Sequence, residues 1–144
     1  MTSQPLSLNA LLAQLPTPLF DPDPLLQCVE NLDQSQGLAI LSQLITLYLT
    51  DAPTYRDQVH QGIADEDENL LRKAAHALKS SSCSIGAAGL GKMCEAMEKN
   101  AIAKRFAVAS LQKGKFEKTF DESIKILTQF SQTLPQSVLP YGAD

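Results

Sequence analysis

Leu38, Leu41, Leu44, Ile45 and Tyr48 recur at spacings of three and four, the period of one helix face, and predict a helix from about Ser35 to Leu49. Asp51 with Pro53 opens another, in which Tyr55, Val59 and Ile63 fall four apart. Asp65 and Glu68 have the spacing of a capping box, and the helix they open runs to about Ser84 and stops near Gly86. Leu90, Met93 and Met97 mark the next helix, and Phe116, Phe120, Ile124, Leu127 and Leu134 stripe a long final one. Ahead of these, Leu8 to Leu15 forms a short amphipathic segment ended by Pro16-Thr17-Pro18. Asp23 before Pro24 reads as an N-cap opening a turn through Leu25, Leu26 and Val29. No proline occurs between Thr54 and Leu134, and no run alternates with period two long enough to suggest a sheet. Short connections between such helices imply antiparallel neighbours. The expected architecture is all-α: an up-and-down four-helix bundle over 23–134 with additional short N-terminal helices. Residues 1–22 are an N-terminal segment with a short helix, and 135–144 a flexible C-terminal tail.

Composition narrows the function classes. The chain has 144 residues, 44% of them apolar and 19% charged, a globular mixture with room for one core. Five Phe, three Tyr and no Trp leave most of the packing to aliphatic residues and Ala. The net charge of −4 argues against nucleic acid or anionic lipid as a partner of the whole molecule. Cys28, Cys83 and Cys94 form no CxxC pair and read as reduced thiols. No secretory signal and no apolar run near the ~20 residues of a membrane span is present, so the expected location is the cytoplasm. The charge is unevenly spread: no Lys or Arg precedes Arg56, and between Glu68 and Glu95 there is no acid. That acid-free stretch carries Arg72, Lys73, Lys79 and Lys92.

On a wheel of about 100° per residue, Leu71, Ala74, Ala75, Ser82 and Ile85 all fall within about 60° of Leu78. These define the buried face. His76 lies about 160° away, near the middle of the exposed face, with Arg72, Lys73, Lys79 and Ser80 three or four residues to either side. A metal site would need more ligands, and a triad would need an orienting acid. An imidazole nucleophile that takes a phosphoryl group fits the surrounding cations, which would offset the acquired charge. A solvated surface histidine fits the wheel as well.

The run Ala75-His76-Ala77-Leu78-Lys79-Ser80-Ser81-Ser82-Cys83-Ser84-Ile85-Gly86-Ala87 closely resembles the signature of the histidine-containing phosphotransfer (HPt) family, His-x-Leu-Lys-Gly/Ser-Ser followed by an apolar residue and Gly-Ala. Asp67-Glu68-Asn69 before it, Leu90 and Met97-Glu98 after it, and the stretch from Tyr48 to Pro53 extend the resemblance over roughly Leu25 to Phe130. The resemblance implies that His76 is the phospho-accepting residue and that Lys79 is the cation meeting the phosphoryl group. Ser80 stands where a small side chain leaves room for a partner, and Gly86 is the turn ending the helix. Arg72 and Lys73 are further candidates for the phosphate environment. The family exchanges phosphoryl groups with aspartates of response-regulator receiver domains and binds no ATP, and this chain has no P-loop. It implies no cofactor of the chain's own, the Mg²⁺ coming with the receiver. It also implies a hybrid sensor histidine kinase upstream, a transient interface and a single copy in solution.

Other features have plainer explanations. The acids Asp65 to Glu68 suit a helix N-terminus better than a metal, and His60 reads as a surface residue. Lys99, Lys104, Arg105, Lys113, Lys115 and Lys118 read as solvated helix faces rather than a nucleic-acid site. The leading expectation is thus a phosphocarrier without kinase activity. The alternatives are an HPt-like docking or inhibitory protein that is never phosphorylated, and an unrelated helical ligand-binding bundle.

Overall fold

The structure, a computed structural model, describes residues 7–134; the expected tail over 135–144 lies outside the described residues. It contains six helices and, among the described residues, no strand: α1 (Leu8–Leu12), α2 (Asp23–Val29), α3 (Gln34–Ala64), α4 (Glu68–Ser84), α5 (Ala88–Ile102) and α6 (Phe106–Thr133). α4 packs between α3 and α5, and α6 closes the ring against α5 and α3, which makes the up-and-down bundle expected from the periodicity. Leu71, Ala74, Ala75, Leu78, Ser82 and Ile85 are all buried, so α4 turns the expected face inward. Leu12, Leu15, Phe20, Leu25 and Val29 bring the N-terminal helices and the segment between them into the same core.

The separate helices expected before and after Pro53 are one helix of 31 residues. Pro53 sits inside it, half-buried, and Asp51 caps nothing. A proline in a helix interior costs ~3 kcal/mol, because its nitrogen has no hydrogen to donate. Here Leu41, Ile45, Tyr48, Ala52, Val59 and Ile63 form one buried stripe through that point, and each large side chain removed from water contributes roughly 1.5–3 kcal/mol. Packing on both sides of Pro53 outweighs the break. The helix starts in a capping box in which Asp33 and Gln36 bond each other's backbone N–H.

Two other helix starts differ from expectation. α2 begins at Asp23 itself, with Pro24 in its first turn, and Asp21 accepts from the Asp23 N–H. α4 is capped by Asp67, which accepts from the Leu70 N–H at 3.1 Å, and not by Asp65. The loop explains the second case. Asp65 still closes α3, its N–H bonded to Gln61, and Glu66 turns the chain with φ 51°. Asp67 is then the first residue extended enough to cap.

All three bundle loops are built this way. Each has three residues, with a left-handed residue in the middle: Glu66, Gly86 (φ 85°) and Lys104 (φ 56°). The residue after each donates back five positions, Asp67 to Gly62, Ala87 to Ser82 and Arg105 to Asn100, which closes the preceding helix. Glycine is the natural occupant of such a site, yet two of the three are charged. The left-handed conformation costs an L residue roughly 1–2 kcal/mol. Part of any gain is returned as unfolded-chain entropy, so Glu66→Gly and Lys104→Gly are each expected to add about 0.5–1 kcal/mol of stability. Urea denaturation checks this; a loss of stability in both variants would contradict the loop assignment.

α3 is tied to α4 by a buried hydrogen bond of 2.7 Å between the Tyr48 and Ser82 hydroxyls. Gly62 lets the two backbones meet, since a methyl group there would overlap the backbone of Leu71. α3 is tied to α6 at Glu117, which accepts from Arg56 Nη1 at 2.8 Å and bonds His60 Nε2. His60 also stands edge-on to Phe116, and the Arg56 guanidinium lies 5.0 Å over the Phe120 ring. The residue expected at the surface is thus half-buried in an interhelical clasp. Burial alone would raise the Glu117 carboxyl, but the bonds from His60 and Arg56 prevail and hold it below its ordinary value of 4.5. A carboxylate depressed in the folded state contributes stability above its unfolded value and loses it as pH falls through the folded one. The melting temperature is expected to fall as the pH drops below about 4.5, and to fall less in Glu117→Gln. An equal acid response in the two proteins would contradict this role.

Candidate functional site

His76 sits in the middle of α4, on the face turned away from the core, with 61% of its side chain exposed. Ala74, Ala75 and Leu78 hold that orientation, because their burial fixes the rotation of α4 about its axis. α5 runs back along α4 after the tight loop, and eleven residues beyond Ala87 places Glu98 opposite His76, eleven residues before it. Glu98 is 16% exposed and uses both oxygens: Oε2 meets His76 Nδ1 at 2.8 Å, and Oε1 accepts from Lys79 Nζ at 2.6 Å.

Glu98 is held as a carboxylate. Burial alone would raise its carboxyl, but the hydrogen bonds from Lys79 and His76 outweigh that and bring it below the usual carboxylate range. Its bond to Lys79 in turn raises the ammonium above its ordinary value. An ionised carboxylate only accepts hydrogen bonds, so His76 Nδ1 must carry the proton. In the neutral ring Nε2 is then the nitrogen with the free lone pair, and it points away from Glu98 because the two ring nitrogens lie on opposite sides. An exposed, oriented imidazole with one free nitrogen results.

Two open clefts flank the imidazole. One, of about 500 Å³, lies between α4 and α3 and is lined mainly by Leu44, Leu47, Tyr48, Tyr55 and Ile85. Leu47 is 59% exposed there. The other, of about 560 Å³, lies toward α5 and includes Lys79, Cys83, Gly91, Lys92 and Glu95. Ser80 is exposed and borders both, as His76 does. Cys83 and Cys28 are exposed thiols, whereas Cys94 is buried and its thiol is pushed up to about 12 by that burial.

The expected ring of cations is only partly assembled. Lys79 and Ser80 stand beside His76. Arg72 is instead engaged one turn back, its Nε 3.2 Å from Glu68 Oε1 and its Nη2 2.8 Å from Asn69 Oδ1. Lys73 is exposed and forms no ion pair among the described residues. Gly86 does turn the chain after α4. Glu98 is the residue that sequence reasoning passed over as a site residue. The signal was available in the symmetry about Ala87 once α4 and α5 are paired antiparallel. No group of three or more His, Cys, Asp or Glu among the described residues could hold a metal ion. No helix among them is long and apolar enough to cross a membrane.

Comparisons with known proteins bear on the fold and the family. No curated protein matches the chain by sequence. The crystal structure of histidine-containing phosphotransfer protein B from Pseudomonas aeruginosa PAO1 superposes with a TM-score of 0.72 at 21% identity, covering 83% of this chain and all of that one. That likeness is one of fold. The Hpt domain family model matches residues 43–133, which is more than half of the chain and contains His76, Lys79 and Glu98. The chain belongs to the Hpt domain family.

Proposed function

We propose that His76 accepts a phosphoryl group on Nε2 from the aspartate of a receiver domain and passes it to the aspartate of another. The observation that carries this reading is the pair of bonds at Glu98, which leaves an exposed imidazole with one nitrogen protonated and the other free. In the forward step the Nε2 lone pair attacks phosphorus, an N–P bond forms, and the P–O bond to the aspartate breaks, returning its electrons to the carboxylate. The proton on Nδ1 stays where it is. As the N–P bond forms, the ring gains positive charge, which the Glu98 carboxylate stabilises from the other side. Lys79 offsets the charge of Glu98 and stands one helical turn along α4 from His76, where it would meet the charge of an incoming phosphoryl group.

Phosphoryl transfer depends on positioning and charge stabilisation, and the remaining parts, Mg²⁺ and an acid cluster, belong to the receiver in this reading. The apolar cleft beside His76 suits a transient contact with the receiver, with Leu47 as its exposed anchor. A hybrid sensor kinase in the cytoplasm is the expected source of phosphate for that receiver. The chain itself is a phosphocarrier and has no kinase step.

Incubation with phosphorylated receiver domains and Mg²⁺ tests the proposal: label should move to this chain. Binding without label would favour a docking role. Glu98→Gln sharpens the test, because a glutamine amide can donate to Nδ1 and so favour the tautomer with the proton on Nε2. It also releases Lys79. The transfer rate is expected to fall about 10–100-fold with little change in receiver affinity. An unchanged rate would remove Glu98 from the mechanism.

A further inference from the structure

Leu111 is 86% exposed, more than any other large apolar residue among the described ones. Ala109 and Phe116, the buried residues on either side of it along α6, lie about 160° and 140° round the helix, so Leu111 points away from the core. Val108, Leu111, Lys115 and Lys118 follow one another at spacings of three and four and form one raised row. Beside it Ala107, Ser110 and Gly114 form a row with almost no side chain. All seven are exposed. A ridge next to a shallow groove is the surface that a second helix packs on.

Gly114 has no role inside the molecule. Glycine is a poor helix former, and α6 carries it in mid-helix. At every other described glycine an added methyl group would overlap a neighbouring atom, whereas at Gly114 it would meet nothing within 4 Å. Space kept open on an outer face serves something that approaches from outside. The charge says what kind. Although the net charge is −4, six of the twelve Lys and Arg fall between Lys99 and Lys118, against the single acid Glu117, which is held by Arg56 and His60. Lys104, Arg105, Lys113, Lys115 and Lys118 are exposed and form no ion pair among the described residues. A second copy of the same face would be repelled. A lipid surface would find little apolar area beside Leu111 in Ala107, Ser110 and Gly114, and a nucleic acid would set phosphates against Leu111. An acidic amphipathic helix uses every part: cations, exposed leucine and open groove.

We propose that the α6 face over 107–118 is a docking site for an amphipathic helix of a partner protein. That helix sets an apolar residue against Val108 and Leu111, and carboxylates against Lys115, Lys118 and the Lys104-Arg105 loop. The face is about 18 Å long, which places the contact at the low end of interface sizes, where association is transient. α6 packs against α3 and α5 but not against α4, so this face and His76 lie on opposite sides of the bundle. A partner held here leaves His76 open.

Titration of the full ¹⁵N-labelled chain with a synthetic helical peptide of about 20 residues, Leu and Ala along one seam and Glu on both flanks, tests this. Binding should saturate below about 1 mM, move backbone amides within 104–118, and leave those of His76 and Glu98 in place. A scrambled peptide of the same composition should bind at least tenfold more weakly. Leu111→Ser, and Lys115→Glu with Lys118→Glu, should each weaken binding at least tenfold. Gly114→Gln separates docking from folding: the free chain should melt no lower, because glutamine is the better helix former, yet binding should fall at least tenfold as the groove fills. Circular dichroism establishes that all the variants are folded. No saturable binding, equal binding of the scrambled peptide, shifts confined to other faces, or full affinity in Gly114→Gln would overturn the proposal. So would this face binding phosphatidylglycerol vesicles, a DNA duplex or a second copy of the chain in place of the peptide.

Discussion

His76→Gln is expected to fold like the wild type and to take no phosphoryl group from a phosphorylated receiver domain. The imidazole is mostly exposed, and substitutions at such positions usually change stability by less than about 0.5 kcal/mol. The glutamine amide has no lone pair able to attack phosphorus, so the loss falls on chemistry alone. Removing a nucleophile outright commonly costs many orders of magnitude, and transfer should drop at least about a thousandfold, to background. The check is radiolabel from the receiver in paired reactions, read beside a binding measurement. Receiver binding should persist, because Leu44, Leu47, Tyr48, Tyr55 and Ile85, which supply the apolar lining of the cleft beside position 76, are untouched. Label remaining on the variant would move the acceptor elsewhere, and His60 is the other histidine in the chain.

Gly86→Ala is expected to be the most damaging single methyl addition in the bundle. Gly86 lies in the left-handed region at φ 85°, where an L residue costs roughly 1–2 kcal/mol. A methyl group there would also overlap the carbonyl oxygen of Asp21. That contact belongs to a pair of backbone bonds, Asp21 N–H to the Gly86 carbonyl at 2.8 Å and Gly89 N–H to the Leu19 carbonyl at 2.9 Å, which seat the N-terminal segment on the α4–α5 loop. Weakening them adds about 1–2 kcal/mol. The variant should lose about 2–4 kcal/mol in urea denaturation and melt roughly 5–15 °C lower. At temperatures where it remains folded, transfer through His76 should be close to wild type, since the loop touches neither Nε2 nor Glu98. Unchanged stability would mean that the N-terminal segment is not seated on the loop as described.

What could be read from sequence was the periodic part. The wheel of α4 placed Leu71, Ala74, Ala75, Leu78 and Ser82 inward and His76 outward because small and aliphatic residues at spacings of three and four leave only one face to bury. Pro53 misled for a physical reason. Its local cost is large, and nothing in its neighbourhood shows that Tyr48, Ala52 and Val59 bury one continuous stripe across it. The cap of α4 slipped from Asp65 to Asp67 because the left-handed turn at Glu66, a residue that rarely adopts it, sets where the helix can begin. Arg72 lies one turn from His76 on the wheel, but a partner four residues back satisfies its guanidinium first. The site itself was half legible. The nucleophile and Lys79 lie on one helix and share a local motif, whereas Glu98 comes from the next helix and belongs to the site only through the pairing of α4 with α5.

The most direct measurement of the central claim is a long-range ¹H–¹⁵N correlation spectrum of the histidine rings, recorded before and after phosphorylation by a receiver domain. Before the reaction it should show the His76 proton on Nδ1. Afterwards it should show phosphorus bonded to His76 Nε2, with the Nδ1 proton retained. Phosphorus on Nδ1, phosphorus on His60, or unchanged rings in a chain that carries label would contradict the account.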